Sequence, residues 1–163
     1  ANEPVRLILK TSNPIFSYYS RFTDPRITTI SNNMTIEELN KLYFNMDCFV
    51  FPSKAEGVGY PPREAMSVGL PVILTDWSGL EDIAYEEISY PIKPSGFVQR
   101  HGFNEQDGNW ANINIQELMY KMRYVYEHQQ EAKEKGKGAA EFIRKNFNWL
   151  DRAGQLKEFL ERL

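Results

Sequence analysis

Two short, continuous apolar runs, Cys48-Phe49-Val50-Phe51 and Pro71-Val72-Ile73-Leu74-Thr75, constrain this chain more than any other feature. A strand wetted on one face alternates apolar and polar residues. An unbroken run of four or five suits a parallel strand buried on both faces. Between the runs, Pro61 and Pro62 are placed for the first turn of a helix and Gly69 for the position just past its end. Strand, helix and strand at this spacing form a parallel unit with a right-handed crossover.

The flanking sequence repeats the alternation. Val5 to Lys10 and Arg26 to Ile30 read as strands, with a mostly looped, aromatic stretch from Thr11 to Asp24 between them. Thr35-Ile36-Glu37-Glu38 is a capping box, opening a helix to about Asn45 with Ile36, Leu39 and Tyr43 on one face. Ser78 is placed to cap a short helix through Ala84, and Ile88 to Ile92 and Phe97 to Gln99 are short strands. Arg100 to Asn112 reads as a polar loop. Helices are expected from Asn114 (Leu118, Met122, Val125 and Tyr126 at helical spacing), over about Glu131 to Lys145, and from Leu150 to Leu163. The charged tract Glu131 to Lys137 reads as a solvated helix face. The expected fold is α/β and Rossmann-like, a three-layer arrangement of a parallel sheet flanked by helices.

Composition excludes several function classes. A chain of 163 residues buries roughly 70% of its unfolded surface and needs no staples. Aromatic residues at 13% argue against disorder, and the single Cys48 excludes an internal disulfide framework. A net charge of −3 argues against nucleic acid as a partner. No apolar run approaches the roughly 20 residues of a transmembrane segment. Ala1-Asn2-Glu3-Pro4 has neither a basic nor an apolar leader pattern, so the expected location is cytoplasmic.

In an open α/β sheet, ligands bind beyond the carboxyl ends of the strands. The loop after Phe51 therefore matters: Pro52-Ser53-Lys54-Ala55-Glu56-Gly57-Val58-Gly59, leading into a helix that carries Glu64. Gly57 and Gly59 let backbone N–H groups approach a ligand, and the helix N-terminus favours a phosphate. A carboxylate has two acceptor oxygens, which suits a vicinal diol. Backbone donors and two carboxylates in one cleft read as a sugar–phosphate or nucleotide–sugar site. The plainer reading is that the glycines make a turn and Glu64 serves its helix, worth about 0.3–1 kcal/mol.

A resemblance shifts that balance. Phe51-Pro52-Ser53, Glu56-Gly57-Val58-Gly59, Glu64-Ala65-Met66, Gly69-Leu70-Pro71-Val72 and Gly79-Leu80-Glu81-Asp82-Ile83 together resemble the donor-binding, C-terminal half of GT-B glycosyltransferases of the retaining, family-4 (group 1) type. Glu56 and Glu64 have seven residues between them, like the E-x7-E motif of that family. Met34 to Leu42, Trp110, the helix from Asn114 and Phe147-Asn148-Trp149 resemble it more weakly. The resemblance implies a nucleotide-sugar donor as partner and transfer with retention, with no cofactor and no metal. No Asp-x-Asp occurs. It implies that Glu56, the candidate catalytic residue, contacts the sugar hydroxyls. Gly57, Val58 and Gly59 would present amides to sugar and phosphate, and Glu64 would hold the ribose. Ile30, Ser31 and Asn32 would line the base, with Ser53, Gly79 and Leu80 as further donor-binding residues.

In the family, an earlier strand carries a Gly-Arg and then a Lys that neutralise the diphosphate. Arg6, Lys10, Arg21, Lys54 and Arg63 do not match them by position. The expectation is a single donor-binding domain over residues 1–163, lacking the N-terminal acceptor domain and the first donor-domain strand, and inactive alone. Peripheral membrane contact belongs to the full enzyme if to anything. Glycogen-synthase-like transferases are a related class. A non-catalytic nucleotide or nucleotide-sugar binding module is the alternative, and a third reading is an interaction domain with a vestigial site, under which Glu56→Ala and Glu64→Ala leave every activity unchanged. His101 with Glu105 and Asp107, His128, Cys48 and Ser53 are weighed as chemistry and set aside. Trp77 reads as a core-edge residue, and Phe16, Tyr18, Tyr19 and Phe22 as packing or domain contact.

Overall fold

A computed structural model of the chain describes residues 3–11, 23–99 and 108–163. The chain divides into two units, Ala1–Lys41 and Leu42–Leu163. In the first, β1 (Leu7–Lys10) pairs in parallel with β2 (Ile27–Ile30), Leu7 opposite Ile27 and Lys10 opposite Ile30. Before β2, Asp24 accepts hydrogen bonds from the Arg26 backbone and guanidinium, which hold its carboxyl at about 2. Helix α1 (Ile36–Phe44) then begins, and the unit boundary falls within it. Its capping box forms: the Thr35 N–H donates to Glu38 Oε2 at 2.8 Å, and the Glu38 N–H to Thr35 Oγ1 at 3.2 Å. Tyr43 is buried, whereas Ile36 is exposed.

The second unit holds a parallel sheet of β3 (Phe49–Phe51), β4 (Val72–Thr75) and β5 (Tyr90–Ile92), in that order. Every residue of β4 is buried, as a central strand covered on both faces must be. Helix α2 (Tyr60–Ser67) connects β3 to β4 and packs on both. Two features stop and start it as the sequence implies. Pro61 lies in its first turn, and Gly69 follows its end at φ +82°. A 3-10 helix (Ser78–Ile83) follows β4.

One antiparallel pair departs from expectation. The stretch read as loop through Asn112 contains β7 (Asn109–Ala111), paired with β6 (Phe97–Gln99). Three residues with no alternation and two non-strand formers give no signal by themselves; the pairing partner makes the strand. Helices α3 (Ile115–Glu127), α4 (Gln129–Asn146) and α5 (Trp149–Glu161) complete the chain. Asn114 and Asn148 cap α3 and α5, accepting from the Glu117 and Leu150 N–H groups. Ile73, Tyr90, Ile92, Val125 and Ala132 form a core cluster joining the sheet to α3 and α4, with Cys48, Val50, Leu118 and Tyr124 against it. Met122, expected on this face, is exposed.

The charged tract is not wholly solvated. Lys135 Nζ donates to the Glu86 and Ser89 carbonyls and lies 4.1 Å from the Tyr90 ring centroid. Burial pulls its pKa down. Its aliphatic stem covers the sheet edge while its ammonium finds carbonyls. α2 and α4 meet closely at glycine: a Cβ on Gly136 would lie 2.2 Å from the Gly69 carbonyl oxygen.

Candidate functional site

The loop from Pro52 to Gly59 leaves the carboxyl end of β3, and the 3-10 helix leaves the carboxyl end of β4, its neighbour. These two segments are tied together at Glu56. Its backbone N–H donates to Ser78 Oγ at 2.9 Å, and its carbonyl accepts from the Gly79 N–H at 3.1 Å. Its carboxylate accepts from Ser53 Oγ at 2.5 Å. The half-buried carboxylate therefore sits in a fixed position between two strand ends.

Ser78 was expected to cap its own helix. Trp77 instead occupies that position, and Ser78 takes φ 57° inside the first turn. Its hydroxyl thus reaches across to Glu56. Side-chain capping of a neighbouring loop leaves no local spacing signal, so sequence reasoning missed it.

The glycines are required for different reasons. Gly59 lies at φ +69° at the N-cap of α2, and a Cβ there would meet Leu80 Cδ2 at 2.2 Å. At Gly79 a Cβ would lie 2.2 Å from the Gly57 carbonyl oxygen. Gly57 has open space around it and is exposed. Among the described residues, the N–H groups of Gly57, Val58 and Gly59 have no protein acceptor. Three unengaged donors next to a helix N-terminus form a place for an anion.

Glu64 is exposed on α2, and its Oε2 accepts from Tyr43 Oη at 3.2 Å. Burial raises the Tyr43 pKa, and the Glu64 charge and hydrogen bond raise it further. Tyr43 was read only as a core-facing residue; its hydroxyl gives it a second task. Tyr43 also packs edge-on against Phe49 at 5.7 Å, which fixes the ring.

Leu80 differs from its expected role. It is 1% exposed and lies beneath Gly59, so its side chain supports the loop and offers no surface to a ligand. Ile30, Ser31 and Asn32 belong to the first unit, at and after the end of β2, with Ser31 and Asn32 exposed. Trp77 donates from Nε1 to the Asn109 carbonyl at 3.3 Å and packs on Phe97 with centroids 4.3 Å apart. It anchors the β6–β7 ribbon. Lys54 lies 5.7 Å from the Trp110 ring centroid, and its carbonyl accepts from the Ala111 N–H. Arg63 is buried and spent on loop carbonyls, so it is not free to neutralise a diphosphate. His128 is exposed and stacks on Tyr124. Cys48 is half-buried against the core, and burial pushes its thiol up to about 12, the behaviour of a packing residue. His101, Glu105, Asp107, Arg21 and the aromatic residues Phe16 to Phe22 lie outside the described residues. Among the described residues, no cluster of metal-ligating side chains occurs and no helix is long and apolar enough to cross a membrane.

Comparison with known families decides the affiliation. Residues 13–100, more than half of the chain, match the family described as glycosyl transferases group 1. The chain belongs to the group 1 glycosyltransferases. The match includes the Glu56 loop, Glu64 and the Gly79 turn. A glycogen synthase of Lachnoclostridium phytofermentans is 25% identical over 153 residues, covering 91% of this chain and 29% of that protein. The chain spans less than a third of the length of the curated relatives it matches. Among solved structures, a sucrose-phosphate synthase of Thermosynechococcus elongatus superposes with a TM-score of 0.72 at 22% identity, over 96% of this chain and 38% of that one. An Anabaena protein solved in complex with UDP and glucose superposes at 0.63 and 18% identity, over 86% and 33%. At such identities the likeness is one of fold: α/β, with parallel sheets and flanking helices, as in GT-B glycosyltransferases.

Proposed function

We propose that this chain is the nucleotide-sugar donor-binding domain, the C-terminal GT-B half, of a retaining family-4-type glycosyltransferase. The observation that carries the reading is the Glu56 loop. It places a carboxylate, held by the Ser53 hydroxyl on a backbone tied to Ser78, beside three unengaged backbone donors at the start of α2. In this reading Glu56 receives the sugar hydroxyls and the Gly57–Gly59 amides receive phosphate oxygens. Glu64, steadied by Tyr43, takes the ribose diol. The bound UDP and glucose of the Anabaena relative make a uridine nucleotide sugar the first donor to try.

The proposed catalysis is positional and electrostatic. The loop holds the diphosphate as negative charge develops on it and presents the anomeric carbon to an acceptor on a second domain. Glu56 serves as a hydroxyl acceptor, its carboxylate oriented by the Ser53 hydroxyl. The reaction uses no metal and proceeds in the cytoplasm. With the acceptor elsewhere, the chain alone binds donor without turnover; a transferase rate from the isolated chain contradicts this part.

The test is calorimetry against UDP, GDP, ADP and their common sugar conjugates, with and without EDTA. One nucleotide series binds, EDTA leaves its affinity unchanged, and Glu64→Ala weakens it by about 1.5–3 kcal/mol, the scale for a hydrogen bond to a charged group. Binding that survives both Glu56→Ala and Glu64→Ala overturns the assignment.

A further inference from the structure

One buried cation gathers the same two loops and has no part in the reading above. Arg63 precedes Glu64 on α2 and is 8% exposed. Its Nη1 donates to the Val58 carbonyl and, at 3.2 Å, to that of Gly59. Its Nη2 donates to the Gly79 carbonyl at 3.1 Å and pairs with Asp82. The guanidinium carbon lies 5.0 Å from the centroid of Phe147, the residue between α4 and α5. Nε is buried with no partner. One planar ion therefore binds carbonyls of the Glu56–Gly59 loop and of the Ser78–Ile83 turn at once.

Stability alone does not call for this arrangement. Burying a guanidinium is costly, and a buried N–H without an acceptor adds to the cost. Replacing a whole buried ion pair by well-packed apolar side chains is often neutral or stabilising, whereas removing one partner strands the other. A rigid fork that reaches three carbonyls on two loops fixes geometry in a way no apolar side chain does. Each carbonyl it holds turns its peptide, and hence the N–H on the far side of that peptide. The Val58 carbonyl shares a peptide with the Gly59 N–H, one of the three unengaged donors.

We propose that Arg63 is a positioning residue of the donor site. It locks the Glu56–Gly59 loop onto the Ser78–Ile83 turn, so that the amides face the ligand before it arrives. The consequence for ligand binding rests on the donor-site reading; the lock itself does not.

The test compares the wild-type chain with Arg63→Met, which keeps an unbranched apolar stem but no donor, and Arg63→Lys, which keeps charge but not the fork. Amide hydrogen exchange reads the loop, calorimetry with UDP-glucose reads the site, and thermal unfolding reads the fold. In Arg63→Met, exchange at the Gly79 N–H, which donates to the Glu56 carbonyl, accelerates. UDP-glucose affinity falls at least about tenfold, the scale for a misplaced binding group, and the unfolding midpoint falls as three loop carbonyls lose their donor. Arg63→Lys restores neither exchange nor affinity. If Arg63→Met does not fold, Arg63→Lys carries the comparison. Wild-type exchange and affinity in the variants, or a change confined to the unfolding midpoint, overturn the proposal. If the wild-type chain binds no nucleotide sugar, the donor-site reading fails, and the exchange data still decide the lock.

Discussion

Single atoms decide whether the two loops can touch. Gly79→Ala drives a methyl into the Gly57 carbonyl, a backbone atom that cannot swing aside. Urea unfolding should show a loss of about 3 kcal/mol, the upper end for a forced overpacking. Gly59→Ala should cost less, about 1–2 kcal/mol for the left-handed backbone, because the atom its Cβ meets is a Leu80 methyl rather than backbone. Equal losses at the two positions contradict this account. Cys48 supplies a pH test. Its thiol is held up to about 12, above the ordinary 9.0, mainly by burial. The native state keeps a proton that the unfolded chain gives up, so this contribution is intact below pH 9 and is lost as pH climbs toward 12. Unfolding measured from pH 8 to 11 should fall less steeply in Cys48→Ala. The glutamates and glycines of the loop were legible in the sequence, because their spacing is local. Tyr43, Ser78 and Arg63 were not read as site residues. Each acts on a residue that the fold, not the chain order, brings near, apart from Arg63's grip on its own loop.

At the scale of elements, the apolar runs marked β3 and β4, and the prolines and Gly69 marked the limits of α2. β7 escaped notice because its pairing with β6 makes it a strand. Helix packing gives a sharper test than helix propensity. Alanine is the better helix former, so an exposed Gly136 would gain by substitution. Here α4 meets α2 so closely that a Cβ would strike the Gly69 carbonyl. Gly136→Ala should therefore destabilise by roughly 1–3 kcal/mol in denaturant unfolding. The half-buried Gly138, with nothing within 4 Å, should gain from the same change. The last helix is different in kind. No residue of α5 is buried, and Trp149 is 78% exposed. A chain ending at Asn148 should unfold with a midpoint close to that of the full chain. A large drop contradicts the view that α5 adds little to this fold.

On the scale of the whole molecule, short buried strands and helix punctuation sufficed for an α/β fold. A net charge of −3 argues against a nucleic-acid partner, while the sugar, the base and the acceptor left no mark in the sequence. The fold explains why the site is built as it is. Parallel strands end side by side, so two loops from adjacent strands converge, and Glu56 and Gly79 bind each other through backbone and serine contacts. The central claim is that this junction receives a nucleotide sugar. The most direct measurement is calorimetric titration of the chain with UDP-glucose and with the corresponding GDP and ADP sugars, repeated on Glu56→Ala and Glu64→Ala. The account predicts saturable binding of one nucleotide series that both substitutions weaken, each leaving the unfolding midpoint of the free chain in place. Failure of every series to bind at millimolar concentration, or binding indifferent to both glutamates, contradicts it.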